Sequence, residues 1–452
     1  MKINIQPGIF RDYDIRGIYP TDINENTFYI LGRSIASYTK ASEIAVGYDA
    51  RASSLKLFEA LTEGILDQGS NVTNLGLIST EIHYFASGKY HFPCNVIITA
   101  SHNPAQYNGL KIVTKGVIPL HGSYGLPQIK DLSLKQEFPK VNKKGEIKKL
   151  SVIDAWISHA LGFVNLSKIK PFKVIVDAGN GVGGISWEKL VGRVPFEIIP
   201  LYFEPDGTFP HHLPDPLKKE NIRDLQREII KQHADAGFAL DGDADRLFVL
   251  DETGTPLTGT VTTAIIAKLL LLKYGPAPVL FNTACGRIVP ETITKLGGKP
   301  IRVRVGHSFI KEIMKQQKAL FAGEHSGHFY FRDNYFAESS LIAGLLILEY
   351  LSKFSKPLSR IRDTFDKYPS SGEISFKVKN ANKLSKCIGT YYSKAESIDH
   401  IDGLSVWFKD WWFNLRASKT EPLLRLNLEA DNINLLDEKL KEVKKLIISY
   451  NK

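Results

Sequence analysis

Apolar residues in this chain fall in short runs that end abruptly. Ile44-Ala45-Val46-Gly47 stops at Tyr48-Asp49-Ala50-Arg51, Asn95-Val96-Ile97-Ile98 at Thr99-Ala100-Ser101-His102-Asn103-Pro104, and Lys173-Val174-Ile175-Val176 at Asp177-Ala178-Gly179-Asn180. Each run has the length and β-branched content of a strand, each stop is polar or glycine-rich, and a helical pattern follows. This rhythm predicts α/β units on mostly parallel sheets, with the motifs at the carboxyl ends of strands, where such sheets carry their sites. From about Tyr368 the pattern changes. Leu404-Ser405-Val406-Trp407-Phe408 and Leu423-Leu424-Arg425-Leu426-Asn427-Leu428 read as strands, and an amphipathic helix follows near Leu435 to Ile448, so a separate α+β unit is expected. Trp411, Trp412 and Phe413 belong in its core, given the area aromatics bury. The polar segment from Lys135 to Lys149 marks a first boundary, and a Pro-rich loop from Glu204 to Pro216 interrupts the second unit.

Composition narrows the class. At 452 residues, 43% hydrophobic and 23% charged, the chain is an ordinary globular protein with room for about three domains at roughly 150 residues each. Lys2, Arg11, Asp12, Asp14 and Arg16 leave no space for a secretory apolar segment before Gly17. The longest apolar stretches, Ile265 to Leu272 and Leu341 to Leu348, are too short or interrupted to span a bilayer, so neither membrane nor export is expected and the cytoplasm is. Cys94, Cys285 and Cys387 are scattered and odd in number, which fits core thiols and no disulfide framework. The net charge of +10 admits nucleic acid, but the cluster Lys143, Lys144, Lys148 and Lys149 lacks interleaved aromatics and reads as a linker. A basic balance serves an anionic small substrate equally well. Nothing in the sequence sets an oligomeric state.

Asp241-Gly242-Asp243-Ala244-Asp245-Arg246 lies between the strand-like runs Ala236–Leu240 and Leu247–Leu250. Three carboxylates at alternate positions repel one another unless a hard cation neutralises them, and oxygen-only ligands favour magnesium or calcium over zinc. An EF-hand loop would place Glu252 at position twelve, but Arg246 stands where that turn needs glycine and the flanks are not helices. A solvated acidic turn leaves Arg246 unexplained. Arginine beside a metal points to phosphate, whose oxygens a guanidinium grips in a bidentate way.

Other motifs are less specific alone. Ser101 sits just past a strand, where its hydroxyl can stand at the mouth of a cleft and following amides can bind phosphate. Its adjacency to His102 is no hydrolase dyad, a G-x-S-x-G elbow is missing, and an ordinary polar turn is an equal reading. Gly323-Glu324-His325-Ser326-Gly327-His328 again follows an apolar run. His325 and His328 have a zinc-like spacing without a cysteine partner, and Glu324 and Ser326 suit sugar hydroxyls. Arg416-Ala417-Ser418-Lys419-Thr420-Glu421-Pro422 joins two cations and two hydroxyls, which suits a phosphate dianion, although a solvated loop would look the same. Gly179-Asn180-Gly181-Val182-Gly183-Gly184 satisfies G-x-G-x-x-G, with Glu204 about twenty residues on, and makes a dinucleotide enzyme the rival reading.

Taken together and in order, from Phe10-Arg11-Asp12-Tyr13-Asp14-Ile15-Arg16-Gly17 to the Arg416 loop, the motifs resemble the α-D-phosphohexomutase superfamily, and within it the bacterial phosphomannomutase/phosphoglucomutase group. The resemblance implies three related α/β domains, over 1–148, 149–250 and 251–367, and a last α+β domain of TATA-box-protein-like fold over 368–452, around a central cleft. It also implies reversible interconversion of hexose 6-phosphate and hexose 1-phosphate, of mannose, glucose or both, through a phosphoserine and a bisphosphorylated sugar. By this likeness Ser101, beside His102, carries the phosphoryl group and, with Asp241, Asp243 and Asp245, meets Mg²⁺. Arg246 supports the transferring phosphate, Glu324 and Ser326 meet sugar hydroxyls, and Arg416, Ser418, Lys419 and Thr420 grip the distal phosphate. Tyr13, Arg16, Lys111, His307 and His328 line the cleft, the general acid/base being one of Lys111, His307, His328 or Arg16. Hexose 1,6-bisphosphate is the implied activator. Lys419 replaces an asparagine of the group's pattern, Ala284 stands where it often has lysine, and Glu324-His325-Ser326 differs from the glutamine-containing loop of phosphoglucosamine mutases, the alternative within the superfamily.

Overall fold

Four sheets organise the chain in a computed structural model that describes residues 2–417 and 423–451. The first runs Ile15–Ile18, Tyr107–Thr114, Cys94–Ile98, Glu43–Tyr48, Asn71–Leu77 and Ile147–Lys149 in spatial order, with the short strand Ile118–Pro119 on Tyr107–Thr114. Its centre is parallel and its first two strands antiparallel. Every residue of Cys94–Ile98 is buried, as expected of a strand covered by helices on both faces. The polar segment taken as a linker ends by adding the edge strand Ile147–Lys149 to this sheet. Lys148 pairs with Glu43 and Lys144 with Asp67, so the lysine cluster guards a sheet edge, a common use of that residue.

The second sheet orders Leu247–Asp251, Ala236–Leu240, Lys173–Asp177 and Glu197–Leu201. Only its outer pair is antiparallel: Leu240 faces Leu247, so residues 241–246 form the connecting turn. The third sheet, Lys299–Val303, Pro278–Asn282, Phe321–Gly323, Phe329–Phe331 and Ala337–Glu338, is parallel at one end and antiparallel at the other. The fourth is wholly antiparallel, with Ile374–Lys377, Leu423–Ala430, Trp411–Ala417, Leu404–Trp407 and Ser397–Asp399 packed on helices Ala381–Tyr391 and Ile433–Tyr450. Three mixed α/β units and a terminal α+β unit are thus what the pattern predicts. Trp411, Trp412 and Phe413 are buried in the last.

The apolar stretches too short for a bilayer lie inside helices Gly259–Tyr274 and Ser340–Ser352. Every residue from Ser340 to Leu351 is buried, the condition of a helix apolar all round. A Cβ on Gly344 would lie 3.0 Å from the Trp187 ring, so this helix seats directly on the second unit. One apolar core runs through the second and third units and reaches Phe85 of the first, whose ring lies 5.5 Å from Trp156. Among the described residues no helix is long and apolar enough to cross a membrane.

Candidate active site

The turn between Ala236–Leu240 and Leu247–Asp251 places Asp241, Asp243 and Asp245 fully out of solvent, with a carboxylate oxygen of each within 4.8 Å of the others. Lys111, from the strand Tyr107–Thr114 of the first unit, reaches 2.6 Å from Asp243 Oδ2 and 2.6 Å from Asp245 Oδ2. Burial alone would drive its ammonium toward neutrality; the two carboxylates reverse that and raise its pKa. Lys111 uses one oxygen of each aspartate. The other oxygens, Asp243 Oδ1 and Asp245 Oδ1, are buried and accept no hydrogen bond among the described residues. Unsatisfied acceptors of this kind are costly, and three clustered carboxylates, two of them with an unengaged oxygen, are a donor set for a hard cation. Burial, then Asp245 and Asp243, push the Asp241 carboxyl well above the usual carboxylate range. Burial opposes ionisation of Asp245 as well, but Lys111, His328 and Arg246 hold it well below that range. The triad can hold a metal ion.

Ser101 comes to this turn from the other unit. It follows Cys94–Ile98 by three residues, its Oγ donates to Asp241 Oδ2 at 3.0 Å, and its backbone takes φ 51°, a left-handed conformation few residues with side chains adopt. His102 Nδ1 lies 3.2 Å from Ser101 Oγ but accepts from Arg246 Nη2 at 2.7 Å. Burial and the positive charges of Arg246 and Arg16 lower its pKa well below the usual value, so the ring is neutral. With its Nδ1 lone pair engaged, His102 does not serve Ser101 as a base.

Arg246 knits the site together. Its backbone N–H donates to Asp241 Oδ1 and its Nε to His328 Nε2, both at 3.2 Å. His328 Nδ1 in turn lies 3.0 Å from Ser326 Oγ. Glu324 is 2% exposed and both its oxygens are engaged, by Asn282 Nδ2 at 3.0 Å and Tyr330 Oη at 2.6 Å. The third unit thus brings Glu324, Ser326 and His328 beside the metal turn.

At the rim, Arg16 donates to Asn103 Oδ1 at 2.6 Å and pairs with Asp14. Tyr13 Oη donates to Val305 O at 3.3 Å, its ring 5.8 Å from His307. Burial, Lys311 and Lys111 lower the His307 pKa well below its usual value. Arg416 of the fourth unit lies 3.3 Å from Glu373 and 3.8 Å from Asp402. Asp402 also accepts from Val305 N at 3.0 Å, so Arg416 connects to the segment that Tyr13 touches. Ser418, Lys419 and Thr420 lie outside the described residues.

Several contributors carry no signal in sequence. Thr80 donates through its N–H to Asp243 O at 2.9 Å and through Oγ1 to Asp243 Oδ2 at 2.5 Å; a lone threonine at a helix start gives no such hint. Tyr330 acts through Glu324, and Asn282 through Glu324 and through its Oδ1, which accepts from His325 N at 3.4 Å. The glycine loop is corrected outright: a Cβ at Gly181 would lie 2.6 Å from Gly242 O and one at Gly184 2.6 Å from Phe203 O. Those glycines let the metal turn and Phe203 approach, which accounts for them without a dinucleotide. Cys94 and Cys285 are core thiols, pushed up to about 12 by burial. Cys387 is half-buried.

The profiles of phosphoglucomutase/phosphomannomutase alpha/beta/alpha domains I, II and III match residues 7–139, 154–254 and 258–368 in turn. A phosphomannomutase of Vibrio cholerae is 38% identical over 455 residues, covering 97% of this chain and 98% of that protein. One of Methanocaldococcus jannaschii is 40% identical over 444 residues, covering 97% of each. The crystal structure of a phosphoglucomutase/phosphomannomutase family protein from Burkholderia thailandensis superposes with a TM-score of 0.91 at 28% identity, covering 99% of this chain and 98% of that one. By the geometry of its site and by these matches, the chain belongs to the phosphoglucomutase/phosphomannomutase family.

Proposed function

We propose that Ser101 is the phosphoryl carrier of a reaction in which hexose 6-phosphate and hexose 1-phosphate interconvert through a bisphosphorylated sugar. The chain is a hexose-phosphate mutase, an isomerase; the reading concerns how its residues share the work. One observation carries it: Ser101 Oγ of the first unit stands 3.0 Å from Asp241 Oδ2 of the second, so the hydroxyl and the metal-binding carboxylates meet in one buried site.

Phosphorylated Ser101 gives its phosphoryl group to the free hydroxyl of the sugar, which loses its proton as the bond to Ser101 Oγ breaks. The bisphosphorylated sugar then turns end for end and returns its other phosphate to Ser101. Asp241, Asp243, Asp245 and the Ser101 oxygen would hold Mg²⁺, which spreads the charge that develops on the transferring group. Arg246 stands beside Ser101 to meet the phosphate oxygens, and Lys111 balances the aspartates. Glu324 and Ser326 orient the sugar, and Arg416, with the loop that follows, grips the distal phosphate.

Among the four candidates for the proton acceptor, His307 is favoured. Lys111 is held charged, His328 Nε2 accepts from Arg246, and the guanidinium of Arg16 does not deprotonate. Burial keeps His307 neutral and its Nδ1 makes no hydrogen bond. Hexose 1,6-bisphosphate, by phosphorylating Ser101, would be the activator. The test is a coupled assay on mannose 1-phosphate, glucose 1-phosphate and glucosamine 1-phosphate with glucose 1,6-bisphosphate and Mg²⁺. Turnover of mannose or glucose 1-phosphate is expected. Activity confined to the glucosamine ester would make the protein a phosphoglucosamine mutase, and binding without turnover would defeat the proposal.

A further inference from the structure

Behind the loop that carries Ser101 lies a cation with no part in the chemistry above. Arg51 is 2% exposed, yet its guanidinium donates to four backbone carbonyls of one segment. Nη1 reaches Pro104 O at 2.7 Å and Tyr107 O at 2.9 Å; Nη2 reaches Ser101 O at 2.7 Å and Asn103 O at 2.6 Å. Its Nε lies 3.2 Å from Asp49 Oδ2. Asp49 is fixed in turn by the Arg51 N–H at 3.0 Å and Ser54 Oγ at 2.6 Å.

A guanidinium presents its donors in a rigid planar fork, which a lysine ammonium cannot copy. Drawing four carbonyls to one point ties residues 101–107 down as a unit, because relaxing any of them leaves a buried donor or acceptor unmatched. Ser101 belongs to this unit and holds φ 51°, a conformation that persists only where the surroundings over-determine it. The second unit closes over the same arginine. The Phe209 ring centre lies 5.2 Å from its guanidinium carbon, and a Cβ on Gly207 would fall 2.4 Å from Arg51 Cα. Arg51 therefore sits where the serine loop meets the unit that carries the aspartates.

We propose that Arg51 is a positioning residue for phosphoryl transfer: from behind the loop, and without touching substrate, its fork fixes the backbone of Ser101 so that Oγ stays aimed at the Asp241 turn. The proposal rests on Ser101 being the phosphoryl carrier. Arg51→Lys keeps the charge and removes the fork. Misplacement of a reacting group by about 1 Å can lower a rate by about 100-fold. Arg51→Lys should therefore lower kcat at least tenfold with KM for glucose 1-phosphate or mannose 1-phosphate within about twofold, and slow the loading of Ser101 by glucose 1,6-bisphosphate, read by intact-protein mass spectrometry.

Ile65→Val, in the core of the same unit, serves as the stability control: it should lower Tm and leave kcat unchanged. Should Arg51→Lys not fold, Asp49→Asn decides alone, since it keeps the side-chain shape and removes the anion that orients Nε; a kcat loss with KM unchanged is again expected. Wild-type kcat or wild-type loading in the folded variant, or a loss no larger than the control's, would overturn the proposal. Activity retained in Ser101→Ala would instead overturn the carrier reading beneath it.

Discussion

At the scale of single residues, the site is a balance of buried charge. Asp243 and Asp245 share the ammonium of Lys111, and removing one member of a buried pair costs about 3–5 kcal/mol because it strands the other. Lys111→Met should thus lower Tm sharply in chelator. Excess Mg²⁺ should restore part of the loss, since a ligand that binds only the folded state stabilises it. Equal Tm values with and without Mg²⁺ would count against a cation site at the triad. Ser101→Ala should fold normally, because its hydroxyl makes one hydrogen bond to the turn, and should lose turnover by a factor on the order of 10⁴ or more, as for other nucleophile deletions. A phosphorylated Ser101→Ala protein would place the carrier elsewhere. Asp243→Asn removes a carboxylate with one oxygen on Lys111 and the other unmatched. Calorimetry should find weaker Mg²⁺ binding and the assay a lower kcat together.

Whole elements add constraints that no motif announces. The helix Thr80–Tyr90 of the first unit presents Thr80 to the aspartate turn and Glu81 to the start of Ser340–Ser352, where Glu81 Oε2 accepts from Ser339 Oγ at 2.7 Å and from Leu341 N at 3.2 Å. Ser340 Oγ donates to Ala244 O at 2.8 Å, so Glu81 ties the first unit to the third and Ser340 ties the third to the second. Burial raises the Glu81 pKa from 4.5 to about 7 against those hydrogen bonds. The folded protein therefore keeps a proton that the unfolded chain releases. The stability this gives is complete below about pH 4.5 and is lost as pH rises to about 7. Glu81→Gln should flatten that part of the Tm profile. A wild-type slope surviving in the variant would show that another group carries it.

The strand-then-motif rhythm, the metal turn and the buried aromatics of the last unit were legible because they depend on neighbours in sequence. Thr80, Glu81 and Arg51 were not, because their partners lie 50 or more positions away. Gly181 and Gly184 leave a rival dinucleotide reading open in sequence for the same reason: a glycine signals close approach without naming what approaches.

For the whole molecule, the fourth unit would complete the distal end of the proposed site. Asp402 accepts from Val305 N at 3.0 Å and lies 3.8 Å from Arg416 Nε, while Glu373 pairs with both Arg416 at 3.3 Å and Arg425 at 3.0 Å. The guanidinium assigned to phosphate is thus already engaged by two carboxylates. A phosphate dianion arriving there competes with Glu373, which is partly exposed, more readily than with Asp402, which also bridges to the third unit. Breaking a pair of this exposure costs about 0.2–1 kcal/mol. Glu373→Gln should therefore release Arg416 and lower KM by up to about fivefold at low salt. The gain should shrink as salt screens the pair in the parent protein. Arg416→Ala should raise KM with a smaller change in kcat, because it removes binding at a point remote from the transferring group. A KM that rises in Glu373→Gln would mean that this carboxylate holds Arg416 in place for the phosphate instead of occupying it, and a KM unmoved in both variants would remove Arg416 from the substrate site altogether.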